Sequence, residues 1–521
     1  MRQHMADNGS VDWDSAIARA REYAPFLARG LERMPDLAGL LAHGDGEAAI
    51  KWAKQAGEDA PDLGTALRRE RVALSVALGI GDLAGAFPLE RVMRELSDCA
   101  DRALHRAIIQ VIDDRVEGAK PIGFYALALG KQGAHELNYS SDIDPILLYD
   151  PETLPCRERD DPGDAAQRYA RGIVKLLTEN TADGFVFRVD LRLRPASEIS
   201  PLAVPSGAAW AHYESAALAW ERAAFIRSRA AAGDIAAGEA FLERIKPFVW
   251  RSALDFGAVE EIRRLTAQIR LNYDGPQRPG PGFDIKRGRG GIREIEFYAQ
   301  THQLIHGGRD ASLRVKGTRD ALDALAASSW IDGGTAQMLG ESYHRLRMIE
   351  HRLQMVNDRQ THVLPQGDAL DAVARLDGLA DGAALVAELE GITDRVGAAY
   401  DALIGDAVSA TPPEPVTPQK PELAERLGDL GFADPDELAL RISAWRDGRY
   451  QCLRSNEALA AFDALQPKLV AALAQADDAP RALTRWESLL AGAPSAINLF
   501  HLLSARPRLL QQLVGTLTLS P

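Results

Sequence analysis

Two aspartates one residue apart, Asp142 and Asp144, follow a glycine turn that starts at Gly130, in the run Leu129-Gly-Lys-Gln-Gly-Ala-His-Glu-Leu-Asn-Tyr-Ser-Ser-Asp-Ile-Asp. If Asp142 to Tyr149 is extended, the two-residue period of a strand puts both carboxylates on one face. Like charges held that close call for a cation. Carboxylates and phosphate oxygens around a pair of divalent metals form the arrangement used for in-line attack at phosphorus. Gly130 and Gly133 would let the backbone approach a phosphate, and Lys131 offers it a point charge. A lone Asp-x-Asp can also cap a turn. The apolar run Ile122 to Leu129 before the glycines, which reads as a buried strand, favours the chemical reading.

A second segment, Gly184-Phe-Val-Phe-Arg-Val-Asp-Leu-Arg-Leu-Arg-Pro, alternates strictly and is expected to form a strand over Gly184–Leu193. Phe185, Phe187, Val189, Leu191 and Leu193 would take the core face, leaving Asp190 with Arg188, Arg192 and Arg194 on the other. Those arginines could pair with Asp190 or bind an anionic substrate. Beside Asp142 and Asp144, Asp190 is the natural third metal-binding carboxylate, with the arginines on phosphate. A solvated face laced with ion pairs is the alternative.

A third segment, Phe283-Asp-Ile-Lys-Arg-Gly-Arg-Gly-Gly-Ile-Arg-Glu-Ile-Glu-Phe, is a basic glycine-rich turn leading into a helix, whose N–H groups attract anions if they are free. Glu294 and Glu296 lie about 200° apart around that helix and cannot face one site. In Leu346-Arg-Met-Ile-Glu-His-Arg-Leu-Gln-Met, Leu346, Ile349 and Leu353 read as core and His351 as a satisfied histidine.

The elements that must position these residues are mostly helical. Val11 to Val116 has helical periodicity, the stretch from Ile122 to Leu193 mixes strand and helix (Gly163–Thr178), and Trp220 to Leu403 is helical again around a loop at Tyr273–Phe283. The prolines of Thr411–Pro421 mark an extended connector. The expected divisions are 1–118 (helical), 119–230 (catalytic core), 231–408 (helical, packing on the core), 409–421 (linker) and 422–521 (helical, regulatory). The 521 residues are enough for several domains. Sixty Lys+Arg against seventy-four Asp+Glu give a charge of −14, which argues against nucleic acid as a partner. Cys99, Cys156 and Cys452 have no metal or redox spacing and suit a reducing cytoplasm. No apolar run is long enough to span a membrane.

With these motifs in view, the strand, Gly-Lys turn and Asp-x-Asp resemble the nucleotidyltransferase superfamily to which DNA polymerase β belongs, although Lys131 stands where Ser is commoner. Gly130 to Asp144, Arg188 to Pro195, Lys286 to Phe297 and Ile349 to Asp358, in that order, resemble the bifunctional glutamine synthetase adenylyltransferase/adenylyl-removing enzyme. The wording Glu136-Leu-Asn-Tyr-Ser-Ser-Asp-Ile-Asp resembles its N-terminal, adenylyl-removing half together with the regulatory region after it. The fold implied is α+β and mostly helical, a nucleotidyltransferase α/β core flanked by helical domains. Pro145 replaces a usual Leu, and Ala196-Ser-Glu-Ile-Ser lacks a usual Gly.

The resemblance implies a metal-dependent phosphorolysis, in which phosphate attacks a tyrosine-linked AMP on glutamine synthetase and releases ADP. Asp142, Asp144 and Asp190 would be catalytic and hold Mg²⁺ or Mn²⁺, two ions being expected. Gly130, Lys131, Gly133, Ser141, Arg188, Arg192 and Arg194 would bind nucleotide and phosphate. Expected partners are adenylylated glutamine synthetase, uridylylated PII protein and glutamine as effector. ATP-dependent adenylylation of the same tyrosine, and a non-catalytic PII-binding adaptor, are the alternative readings.

Overall fold

The computed structural model describes residues 11–215, 217, 219–251, 270, 273–404, 420–430, 432, 434–445, 450–453, 456–476, 478–492 and 496–518. It divides into two compact units, Met1–Asp406 and Ala407–Pro521. In the second, helices that include Lys420–Asp429, Pro435–Ala444, Asn456–Ala474 and Ala479–Gly492 enclose a core of Trp445, Phe462, Trp486 and Phe500. Of the expected linker, residues 409–419 lie outside the described residues, and its last two residues already belong to the Lys420–Asp429 helix.

In the first unit, part of the acidic excess has a local structural use. Asp12, Asp45, Asp62, Asp161, Asp234 and Asp332 each accept the backbone N–H three residues on and so start a helix. The long N-terminal helices Leu63–Leu83 and Leu89–Asp113 pack beside a four-stranded sheet in the order β3-β2-β1-β4. The strands are β1 Phe124–Ala128, β2 Pro145–Tyr149, β3 Ala203–Pro205 and β4 Arg229–Gly233. β1 is antiparallel to both β2 and β4, and β2 is parallel to β3. The two-residue period sorts side chains between two cores. Phe124, Ala126, Leu147 and Tyr149 join the N-terminal helices and Pro162–Thr178, while Tyr125, Leu127, Ile146 and Leu148 join Phe225, Phe241 and Ile245.

Three expectations need correction. Gly184–Leu193 is not a strand. Gly184 bridges Thr181 in a local turn and Val189 bridges Ile143 in parallel, but no strand joins them, and the alternation fails because Val186 and Phe187 are both buried. Phe185 is partly exposed, under the guanidinium groups of Arg71 and Arg188. β3 and β4 were not expected: one is three residues long and the other, Arg-Ala-Ala-Ala-Gly, has no β-branched residue. A core ending at residue 230 therefore cuts β4, whose Gly233 pairs with Tyr125.

A third core, with Ile292, Ile295, Leu346, Ile349, Leu389 and Tyr400, fills the helical region from Phe283 to Ile404. The chain closes on itself across the unit: Arg19 Nη1 donates to Leu376 O at 2.8 Å, and Phe26 N donates to Val356 O at 3.1 Å. The Gly333–Met355 helix presents a polar stripe to the segment that leads into Asp142. The hydroxyl of Tyr343 donates to Glu136 Oε2 at 2.9 Å, and Gln354 Oε1 accepts from Ser140 N at 2.9 Å. Arg347, fully buried, donates to Glu136 O at 2.6 Å, to Tyr343 Oη at 2.6 Å and to Asn138 Oδ1. Removing this guanidinium would strand buried acceptors. Arg347→Met is expected to lower stability by about 3–5 kcal/mol, read as a lower urea midpoint; an unchanged midpoint would refute the importance given to this contact.

Candidate active site

The Ile143–Val189 bridge sets the geometry. Ile143 is fully buried in the core of the N-terminal helices, with Val189 and Leu191 beside it. Their neighbours Asp142, Asp144 and Asp190 therefore point the other way, and Asp190 N donates to Ile143 O at 2.9 Å. The three carboxylates share one side of the sheet edge through a single bridge rather than a full strand pair.

Each carboxylate has a different environment. Asp142 accepts from Arg188 Nε at 2.5 Å and from Gln360 Nε2 at 3.1 Å. Asp190 accepts from Arg192 Nε at 2.8 Å and Arg192 N at 2.9 Å, bonds that hold it below the usual carboxylate range. No hydrogen bond or ion pair reaches Asp144 from any described residue. Burial, then the charges of Asp190 and Asp142, push it up to about 7. No position brings one oxygen from each of the three within 4.8 Å of the others; among the described residues only Asp98, Asp101 and His135 gather that tightly. There Asp101 is held by Arg229 at 2.5 Å and by Gln132 at 2.9 Å.

The glycine turn is a four-residue helix, Gly130–Gly133. Gly130 has φ +56°, and a Cβ there would sit 3.4 Å from Asp144 Oδ2, so this backbone lies against the carboxylate. A Cβ on Gly133 would be 1.9 Å from Arg227 O. Ser141, just before Asp142, is half-buried.

The cations expected on phosphate are placed differently. Lys131 points to Glu350, with Nζ to Oε1 at 2.7 Å, and burial pulls its ammonium down to about 7 against the pull of that carboxylate. Arg188 also donates to Ser140 O at 2.8 Å. Arg194 donates to Leu191 O at 2.8 Å and Ser197 O at 2.7 Å, and so folds the loop after Pro195. Arg192 keeps an open side, its side chain being 86% exposed.

The basic turn before Ile292–His306 does not offer free N–H groups. Gly291, Ile292, Arg293 and Glu294 donate to Gly288, Ile285, Lys286 and Gly291 carbonyls. Glu294 and Glu296 do diverge, to Arg270 at 2.6 Å and Arg227 at 3.0 Å. Although burial opposes it, Arg227 with Lys131 and Lys286 holds Glu296 down to about 2. His351 is buried and lies 3.6 Å from Asp82 without a hydrogen bond. Sequence reasoning missed Glu350, Gln360, Lys286 and Arg347. The signal was present in Tyr343, Arg347, Glu350 and Gln354, polar residues three or four apart on a helix whose other face is apolar.

A small mixed sheet with a strand, a glycine turn and two carboxylates one residue apart, set among helices, is the build of a nucleotidyltransferase core. Residues 22–244 match the model of the glutamate-ammonia ligase adenylyltransferase family, and residues 263–404 match that of the GlnD PII-uridylyltransferase. The bifunctional glutamine synthetase adenylyltransferase/adenylyl-removing enzyme of Agrobacterium fabrum is 40% identical over 479 residues, 87% of this chain and 48% of that protein. Those of Rhizobium meliloti and Caulobacter vibrioides are both 39% identical, over 91% and 98% of this chain and 50% and 54% of theirs. The chain carries a domain of this adenylyltransferase family followed by a GlnD-like one, and spans about half the length of the curated relatives it matches. No described helix is long and apolar enough to cross a membrane.

The unpaired carboxyl has a consequence for stability. In the fold, Asp144 keeps its proton up to about 7, whereas its ordinary value is 3.8, so the folded state holds the extra proton between those values. Stability therefore falls as pH rises through that window and stays lower above it. In chelator-treated protein, Asp144→Asn should gain urea midpoint over wild type as pH is raised from about 4 to about 7. Parallel pH profiles for the two proteins would refute the assignment.

Proposed function

We propose that the chain removes AMP from a tyrosine of adenylylated glutamine synthetase by metal-dependent phosphorolysis. The observation that carries the chemistry is Asp144, on the same side as Asp142 and Asp190 and without a hydrogen bond or ion pair from any described residue. The direction rests on the resemblance of Glu136–Asp144 to the adenylyl-removing half.

The donor set suits Mg²⁺ or Mn²⁺. Both are hard cations that take oxygen ligands, and Asp144 has an open carboxylate for one. Asp142, Asp144 and Asp190 would hold two such ions, which when bound would neutralise the phosphodiester and the charge developing on the leaving oxygen. A phosphate oxygen bonds to the AMP phosphorus, the bond from phosphorus to the tyrosine oxygen breaks, and that phenolate takes up a proton. The products are ADP and the free tyrosine. With an ordinary pKa near 10, the phenol is a fair leaving group that needs little help from a general acid. Arg188 orients Asp142, and Arg192 orients Asp190 and keeps it ionised, while Gly130 lets the backbone lie beside Asp144. Ser141 and the exposed side of Arg192 are the proposed nucleotide contacts. Uridylylated PII and glutamine are the proposed effectors, and the cytoplasm the proposed location.

Phosphate-dependent ADP release from adenylylated glutamine synthetase, measured beside ATP-dependent labelling of the unmodified enzyme, tests the direction. Release without labelling is expected, and labelling without release would overturn the proposal. Asp142→Asn should reduce release by about 100-fold or more, whereas turnover near wild type would sink the carboxylate assignment. Because each unit has its own core, a fragment ending at Asp406 is expected to fold and keep basal release; loss of release would show that the second unit completes the site.

A further inference from the structure

The phosphate of this reaction needs a cation that the fold has not already committed. Lys131 is committed to Glu350, Arg188 to Asp142 and Arg194 to loop carbonyls. Lys286 is not. Its side chain is half-buried and has no hydrogen bond or ion pair among the described residues. Its backbone is fixed on both sides: Lys286 N donates to Asp284 Oδ1 at 2.9 Å, and Lys286 O accepts from Arg293 at 3.1 Å. The preceding residue, Ile285, donates to His362 O at 2.8 Å, and Asp284 bridges Val363. Two residues earlier in that same strip, Gln360 reaches Asp142 Oδ2 at 3.1 Å. The turn that carries Lys286 is thus pinned to the strip that touches Asp142. Of the cations acting on Asp144, Lys286 has the largest effect, ahead of Arg192, and its charge is also felt at Lys131 and Glu296. It lies outside the 22–244 match, within the 263–404 match.

We propose that Lys286, contributed by the helical region, is the phosphate-binding cation of the site, holding the incoming inorganic phosphate and, after transfer, the terminal phosphate of ADP. This deepens the phosphorolysis reading and rests on it. A fixed backbone with a free ammonium at its end suits a ligand of changing shape, since an ammonium binds phosphate as a point charge rather than through a planar fork.

The test uses the full chain, Mg²⁺, inorganic phosphate and ADP. Lys286→Met should raise the phosphate KM and the ADP Kd by about 10- to 100-fold. It should leave the KM for adenylylated glutamine synthetase and the thermal midpoint where they are. Lys286→Arg, which keeps the charge, should recover most of the loss. Unchanged phosphate KM and ADP Kd in Lys286→Met would overturn the assignment, as would an equal rise in the KM for the protein substrate or a loss that Arg does not recover. A wild-type chain that binds ADP yet releases none from modified glutamine synthetase would refute the phosphorolysis reading alone, and the ADP Kd of Lys286→Met would still decide the lysine. A wild-type chain that binds neither ADP nor phosphate would overturn both.

Discussion

Arg347 is a cation with no access to water, and a charge in that position must find its partners inside the protein. It finds Tyr343 and, 2.9 Å away, Glu350 on its own helix, and the rest in the connection between β1 and β2. Its guanidinium bonds the Glu136 carbonyl and Asn138, and Glu136 in turn accepts from Tyr343 and from Thr318 N at 2.7 Å. Glu350, one turn further along the same helix, takes Lys131 and also lies 2.8 Å from His362. This connection has no secondary structure of its own between Gly133 and the Ile143 bridge, so its shape is set by the helix that reads it. Asp142 and Asp144 stand at its end, and their placement depends on a helix two hundred residues later in the chain.

The same economy of charge governs the carboxylates. A buried acid without a partner is costly, and the site tolerates one while neutralising the two beside it with arginine. Arg188 holds Asp142 in place and Arg192 holds Asp190 ionised, and both aspartates press on Asp144. The result is a graded set: two carboxylates fixed in orientation and one held back for a ligand. Loop-folding duties take Arg194 out of this set, although it lies on the same stretch of chain and looks equivalent by composition.

The elements most legible in the sequence were those with one dominant period. β1, β2, the Pro162–Thr178 helix and the long helices all fall where apolar spacing places them. Alternation misled at Gly184–Leu193, because a single bridge at Val189 needs the right parity at one residue only, and Asp190 kept its side while Phe185 and Val186 did not follow the pattern. β4 escaped because alanines in an antiparallel pair carry no period. Within the site, residue type was legible and partner choice was not. Nothing in the spacing of Gly130-Lys-Gln-Gly says that Lys131 turns to Glu350, more than two hundred residues away, since such pairings are decided by packing between remote segments.

The bonds from Arg19 to Leu376 and from Phe26 to Val356 join the two ends of the first unit. A ribosome makes the N-terminal helices first, and at about 5–20 residues per second their partner strip emerges on the order of 20–70 seconds later. During that interval the apolar faces that will pack against Met355 and Leu376 have no native cover. Vectorial synthesis therefore gives this unit a nascent state with its amino end unfinished, a stage at which a chaperone that shields apolar helix faces would have its effect.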